Sequence, residues 1–218
     1  MKKLSISLAL ISALTLTFSG CKKDDDTESP VISLNGDNPD FSVLKFAYVD
    51  EGADATDNND ATVTVNTSGT VNSNAAGSYQ LTYSASDAAG NPSEEIRDVY
   101  VVNLSSATYS ASDDCGTGAT AYTEAITVTN TAINFSRFAN YDNGSVNGTI
   151  SGDNTTGFTI TIPSQTVMCG TPAANRSFSG TGTISFTDNG GTIVRNISIS
   201  YTEVTNGSSV SCSDTYTK

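Results

Sequence analysis

The chain reads as all-β, in two successive antiparallel modules, and three observations predict this. Apolar and β-branched residues recur in short alternating runs of strand length, clusters of Gly, Asn, Asp and Pro separate those runs, and no segment carries the period of an amphipathic helix. Residues 30–103 have the size and strand spacing of a small antiparallel β-sandwich, and residues 104–218 those of an antiparallel β-barrel or sandwich. A leader at 1–20 and a short tether at 21–29 precede them.

Lys2 and Lys3 open the leader, an apolar run softened by Ser and Thr fills residues 4–18, and the small residues Ser19 and Gly20 stand directly before Cys21. That run is shorter than the ~20 residues a membrane-spanning helix needs. The layout resembles the bacterial lipoprotein signal, in which cleavage falls before the cysteine and the new first residue is acylated. The resemblance implies loss of residues 1–20, lipidation of Cys21, and a membrane partner reached through that lipid. Each buried methylene of an acyl chain contributes ~0.8 kcal/mol, so two or three chains hold a protein on a bilayer without a spanning helix.

The run from Lys22 to Glu28 (KKDDDTE) has no large apolar group to bury, so it forms a solvated tether. It also resembles the acidic export signal of Bacteroidota surface lipoproteins. That likeness implies attachment to the outer membrane with the protein facing outward.

Charge narrows the partners. The 23 acidic and 10 basic residues leave a net charge of −13, and removing Lys2 and Lys3 with the leader takes it to −15. A balance so acidic argues against nucleic acid and against anionic lipid surfaces, both of which need basic patches.

In the first module, runs at 31–34, 41–48, 61–65, 78–85 and 96–102 read as strands. The clearest has Tyr79, Leu81, Tyr83 and Ala85 on one face, and Gln80, Thr82 and Ser84 on the other. The segments SPVISLNGDNP, YVDEGADATDNND and AGSYQLTYSASDAAGNPSEEIRDVYV follow one another in the order of a bacterial immunoglobulin-like domain, which this module resembles. The resemblance implies scaffold roles for Tyr48, Gly52, Ala53, Gly77, Tyr79, Asp87, Gly90 and Asn91, and a spacer or adhesive use rather than a reaction. Physically, Gly90 suits a positive φ in its turn, and the Asp87 carboxylate suits backbone N–H donors. Asp57-Asn58-Asn59-Asp60, with Asp50, Glu51 and Asp54 nearby, has the oxygens that Ca²⁺ uses. It lacks the spacing of a dedicated calcium loop, so it is read as a turn, and no metal or cofactor is expected.

The second module shows eight strand-like runs, at 107–112, 122–130, 132–138, 144–151, 158–162, 178–186, 192–202 and 210–217. Asp188-Asn189-Gly190-Gly191 and Asn206-Gly207 are hairpin signals, and the up-and-down order suits a closed sheet. Side chains filling the interior is the default expectation, with a lipocalin-like cavity as the alternative. Its IPSQ segment at 162–165, Gly180-x-Gly182 and the ending from Cys212 through Tyr216 to Lys218 resemble the β-domain that often follows such immunoglobulin-like domains in Bacteroidota lipoproteins.

Besides Cys21, three cysteines remain in the folded part, Cys115, Cys169 and Cys212, enough for one disulfide in an oxidising compartment. Cys115 and Cys212 are the favoured pair, because closed β architectures often place the first and last strands side by side. Cys169, in the loop sequence CGTP, is then a free thiol. The chain contains no histidine, so neither a serine nor a cysteine nucleophile has its usual base, and zinc lacks a ligand set. Asp113, Asp114, Glu124, Asp142 and Glu203 are the acids a glycosidase could draw on. The expected function is a non-enzymatic cell-surface lipoprotein binding an extracellular glycan, through exposed tyrosines, or an outer-membrane partner. A purely structural spacer is the alternative, and a glycan hydrolase the third.

Overall fold

The computed structural model describes residues 26–218. The leader expected at 1–20, Cys21 as the expected lipidation residue and the first tether residues therefore lie outside the described residues. Among those described, no helix is long and apolar enough to cross a membrane.

The first module packs two sheets. Strands β1 (Val31–Leu34) and β3 (Ala53–Thr56) pair antiparallel, while β2 (Asp40–Val43), β6 (Pro92–Val102), β5 (Gly77–Ser86) and β4 (Val65–Ser68) form a second sheet in that order. Ile32, Leu81, Tyr83, Ala85 and Val99 make the core between them. The alternation read along β5 holds, with Leu81, Tyr83 and Ala85 buried and Gln80 and Ser84 exposed. Two expectations are corrected. The run at 41–48 stops being strand after Val43, and the strand expected at 61–65 begins only at Val65, whereas β3 lies in a stretch read as loop. β3 escaped notice because its sequence, ADAT, carries little apolar signal.

Arg97 points into this module and is fully buried. Its guanidinium bonds to Asp50 at 2.9 Å and to the carbonyls of Asn35 and Gly52, while Tyr83 donates its hydroxyl to the same Asp50. Both terminal nitrogens of the guanidinium are thus paired, as a buried charge requires, while its Nε is left without a partner.

The second module is a closed eight-stranded barrel of consecutive antiparallel neighbours: β7 (Ser106–Asp114), β8 (Thr120–Thr129), β9 (Ala132–Phe135), β10 (Val146–Asp153), β11 (Gly157–Cys169), β12 (Ala174–Asp188), β13 (Ile193–Thr205) and β14 (Ser208–Thr217). β14 returns to pair with β7, so no edge is left open. β11 and β12 run longer than their apolar cores suggest, with a register shift between Ile162 and Gln165. Cys169, expected in a loop, ends β11 and is buried.

Gly180 and Gly182 stand opposite Tyr201 and Ile199 in the β12–β13 ladder. A Cβ on Gly180 would lie 2.4 Å from the Ser200 carbonyl and 2.7 Å from the Tyr201 Cβ, so glycine permits the close approach. The Asn206-Gly207 turn joining β13 to β14 has φ of 51° and 79°, the paired left-handed conformation that this dipeptide favours.

The barrel is filled. Ile133, Ile150, Ile160, Ile197 and Ile199 belong to one continuous core that also takes in Val43, Phe46 and Leu104 from the first module and its junction. Phe46 meets Phe158 edge-on at 5.5 Å, Phe41 stacks on Phe186 at 5.5 Å, and Asn154 reaches Val49 and Asp40. The first module thus stoppers the apolar mouth of the barrel. The opposite end is covered by a short turn at Phe138–Asn140, whose Phe138 ring is buried against Phe135, Phe178 and Tyr201. Among the described residues, side chains fill this interior where a lipocalin would hold its cavity.

Candidate functional site

Inward-facing positions change character along the strands. On β13 the order is Ile197, Ile199, Tyr201, Glu203; on β7 it is Tyr109, Ala111, Asp113. The end covered by Phe138 is therefore a buried network of acids and tyrosines. Asp113 accepts from the Tyr201 hydroxyl at 2.6 Å. Asp214 accepts from Tyr122 at 3.1 Å, from Tyr216 at 2.8 Å and from the Ala139 N–H at 3.3 Å. Glu203 takes Arg176 at 2.5 Å, Thr205 at 2.8 Å and Tyr141 at 3.1 Å, and Arg176 also lies 4.3 Å over the Tyr141 ring. Glu124 holds the chain at Ser136 and Arg137 through their N–H groups.

Burial sets the electrostatics. Desolvation raises the carboxyls of Asp113 and Glu124 above their ordinary range and lifts Asp214 to about 7, while the Tyr141 hydroxyl is pushed up to about 12. Both oxygens of Glu124, Glu203 and Asp214 already accept hydrogen bonds. They act as structural acceptors.

Of the five acids read from the sequence, Asp113, Glu124 and Glu203 enter this network. Asp114 stays at the rim, accepting from the Gly116 N–H, and Asp142 is exposed and paired with Arg137. Asp214 was missed, although the alternation of Cys212, Asp214 and Tyr216 on one face of β14 carried its signal. Cys115 and Cys212 are joined by a disulfide with Cα atoms 4.1 Å apart, beside the β7–β14 seam, and Cys169 is a free thiol. Burial pushes that thiol up, which keeps it protonated and unreactive.

The outer face of the barrel is of a different kind. Thr161, Thr181, Ser200 and Ser213 are successive register partners across β11 to β14, and Thr159, Thr183, Ser198 and Thr215 make a parallel row. All eight are exposed. Strands lie ~4.8 Å apart and like-facing residues ~6.8 Å apart along a strand, so these hydroxyls form a two-dimensional grid. Two shallow depressions lie in it, over Gly180 and over Gly182. The expectation of exposed tyrosines is overturned. All nine are buried or half-buried: eight serve the two cores and the interior network, and Tyr100 stacks on Phe41.

Residues 32–101 match the family described as bacterial surface protein, Ig-like domain. The match spans the first module, which is an immunoglobulin-like domain, and leaves the barrel outside it. No curated protein matches the chain in sequence. Among solved structures, the crystal structure of a lipoprotein from Bacteroides thetaiotaomicron is similar at 16% identity, covering 86% of this chain and 99% of that one, with a TM-score of 0.31.

Proposed function

We propose that the chain is a non-enzymatic lipoprotein, anchored in the outer membrane through a lipid on Cys21, whose barrel binds a neutral extracellular glycan on its outer face. The observation that carries this reading is the hydroxyl grid across β11 to β14. It is uncharged on a strongly acidic protein, and hydroxyls that both donate and accept suit a neutral, hydroxyl-rich ligand. The filled interior leaves binding to the surface, and the engaged, buried carboxylates leave no acid pair facing a cleft in which a glycosidic bond would fit.

One observation favours the structural alternative, a spacer that binds no small ligand: the absence of any exposed tyrosine removes the stacking platform on which sugar rings commonly rest. The test is a screen of the mature lipidated chain, in detergent, against neutral polysaccharides. Binding that is lost in Thr181→Glu and Ser200→Glu variants of unchanged melting temperature supports the glycan reading. Absence of binding, with tight co-purification of an outer-membrane protein, favours the spacer. Mass spectrometry of Cys21 tests the anchor independently.

A further inference from the structure

Two hollows break the evenness of the hydroxyl face. The first lies over the register partners Ile160 and Gly182, and the second over Gly180, Tyr201 and Cys212. Thr181 and Ser200 border both, so the two form one shallow trough. The glycines account for it. A Cβ on either would lie 2.4 Å from a β13 carbonyl, so the bare backbone settles where a side chain would prop it away from its neighbour.

The trough has a direction. From Gly182 to Tyr201 is one strand across and two residues along, a diagonal of ~7–8 Å. Strands tilt by ~35–45° to the axis of a closed barrel, and their twist makes its wall convex around the barrel and concave along it. This diagonal follows the axis, so the hollows lie in line on the one course over which a straight ligand stays in touch with the wall. A coiled ligand would meet only one of them.

The chemistry of the trough is as narrow. Among the described residues, no lysine or arginine lines either hollow, and the one charged group is Asp114 at the edge of the second. Asp114 Oδ1 accepts from the Gly116 N–H, which leaves Oδ2 to accept from a ligand hydroxyl. A carboxylate there repels an anionic polymer, while the serine and threonine hydroxyls around it both donate and accept.

Resting on the glycan reading above, we infer that the trough takes an internal stretch of a straight, neutral β-1,4-linked hexose chain laid along the barrel axis, with rings seated in both hollows and a ring hydroxyl donating to Asp114. Links of that kind run equatorial to equatorial and keep successive glucose or mannose rings in an extended ribbon. An α-1,4 link turns each ring against the last and coils the chain.

The test titrates the mature lipidated chain, in detergent, by calorimetry. The probes are β-1,4-linked glucose and mannose oligomers of increasing length, and α-1,4-linked glucose oligomers of matching length. Affinity in a β-linked series should rise by about tenfold or more once the chain engages both hollows, and then level off. Asp114→Asn, which keeps an oxygen for the Gly116 N–H, should weaken long chains by about three- to tenfold. Thr161→Glu, in the first hollow, should bring long chains down to the affinity of short ones, and both variants should melt with the parent. Binding confined to the α-linked series or to other neutral chains, or equal affinity at every length, overturns this inference and leaves the glycan reading standing. Failure of every neutral polysaccharide to bind overturns both. A dimer in sedimentation that Thr161→Glu dissolves would overturn it too, by naming a second copy as the occupant.

Discussion

Tyr216 donates its hydroxyl at 2.8 Å to Asp214, two residues back on the same strand, and both side chains are sealed inside the barrel. The pairing follows from the period of a strand, which turns residues i and i+2 to one face. It places a carboxyl in an interior where its charged form is disfavoured, and stability becomes sensitive to pH.

Burial, opposed by the Tyr216 and Tyr122 hydrogen bonds, leaves the Asp214 carboxyl at about 7 in the folded chain against 3.8 unfolded. Between those values the unfolded chain has lost a proton that the native barrel keeps. The stabilisation is therefore complete below pH 3.8, declines as pH rises towards 7 and is level above it. Asp113 and Glu124, raised chiefly by burial, reinforce the trend. Urea unfolding should show greater stability at pH 5 than at pH 8, by an amount on the order of a few kcal/mol. In Asp214→Asn this slope should flatten; an unchanged slope would remove Asp214 as its source.

The disulfide joins Cys115 to Cys212 across 97 positions of chain, closing nearly the whole barrel into one loop. By the chain-entropy model a loop of that size stabilises by up to ~4–5 kcal/mol. The Cys115→Ser, Cys212→Ser double variant should unfold at a clearly lower urea concentration. It should also become insensitive to reductant, whereas the parent should drop to the level of the variant once reduced.

At Gly180 the constraint is steric. An added methyl would meet the Ser200 carbonyl at 2.4 Å and the Tyr201 backbone at 2.8 Å, and two paired strands cannot both yield without breaking the ladder. Gly180→Ala should cost about 1–3 kcal/mol, the usual range for overpacking, or more if the ladder breaks. The neighbouring Thr181→Ala, on the exposed face, should stay within about 0.5 kcal/mol of the parent. Equal melting temperatures for the two variants would contradict the close approach.

Much of this architecture was legible because sheet proteins write their faces into alternate residues. The eight barrel runs, the Asn206-Gly207 turn and the buried side of β5 all follow from period two and from residues with special backbone freedom. What the sequence withheld depended on contacts between distant segments. β3 has only two alanines as apolar residues and is strand because β1 pairs with it. Asp214 looks like any surface acid until the sheet closes around it. Cys169 was assigned to a loop by its Gly and Pro neighbours, yet β11 extends to reach it because β12 continues the ladder to Ala174. Exposed tyrosines were expected as a platform for sugar rings; inside the barrel, acids supply partners for their hydroxyls and hold them in.

Phe46 shows that the two modules share a core. Its ring comes from the turn after β2 in the first module, is 8% exposed, and meets Phe158 of the barrel edge-on at 5.5 Å. Val43 and Leu104 belong to the same buried cluster, so the mouth of the barrel is closed by residues outside its own sheet. Truncation to Phe46→Ala leaves a cavity that neither module can collapse alone, with an expected cost of about 3–5 kcal/mol. Because that loss falls at the junction, the parent should unfold in one cooperative transition by calorimetry and the variant in two, the barrel and the sandwich melting apart. If the parent already shows two independent transitions and Phe46→Ala shifts neither, the shared core does not couple the modules.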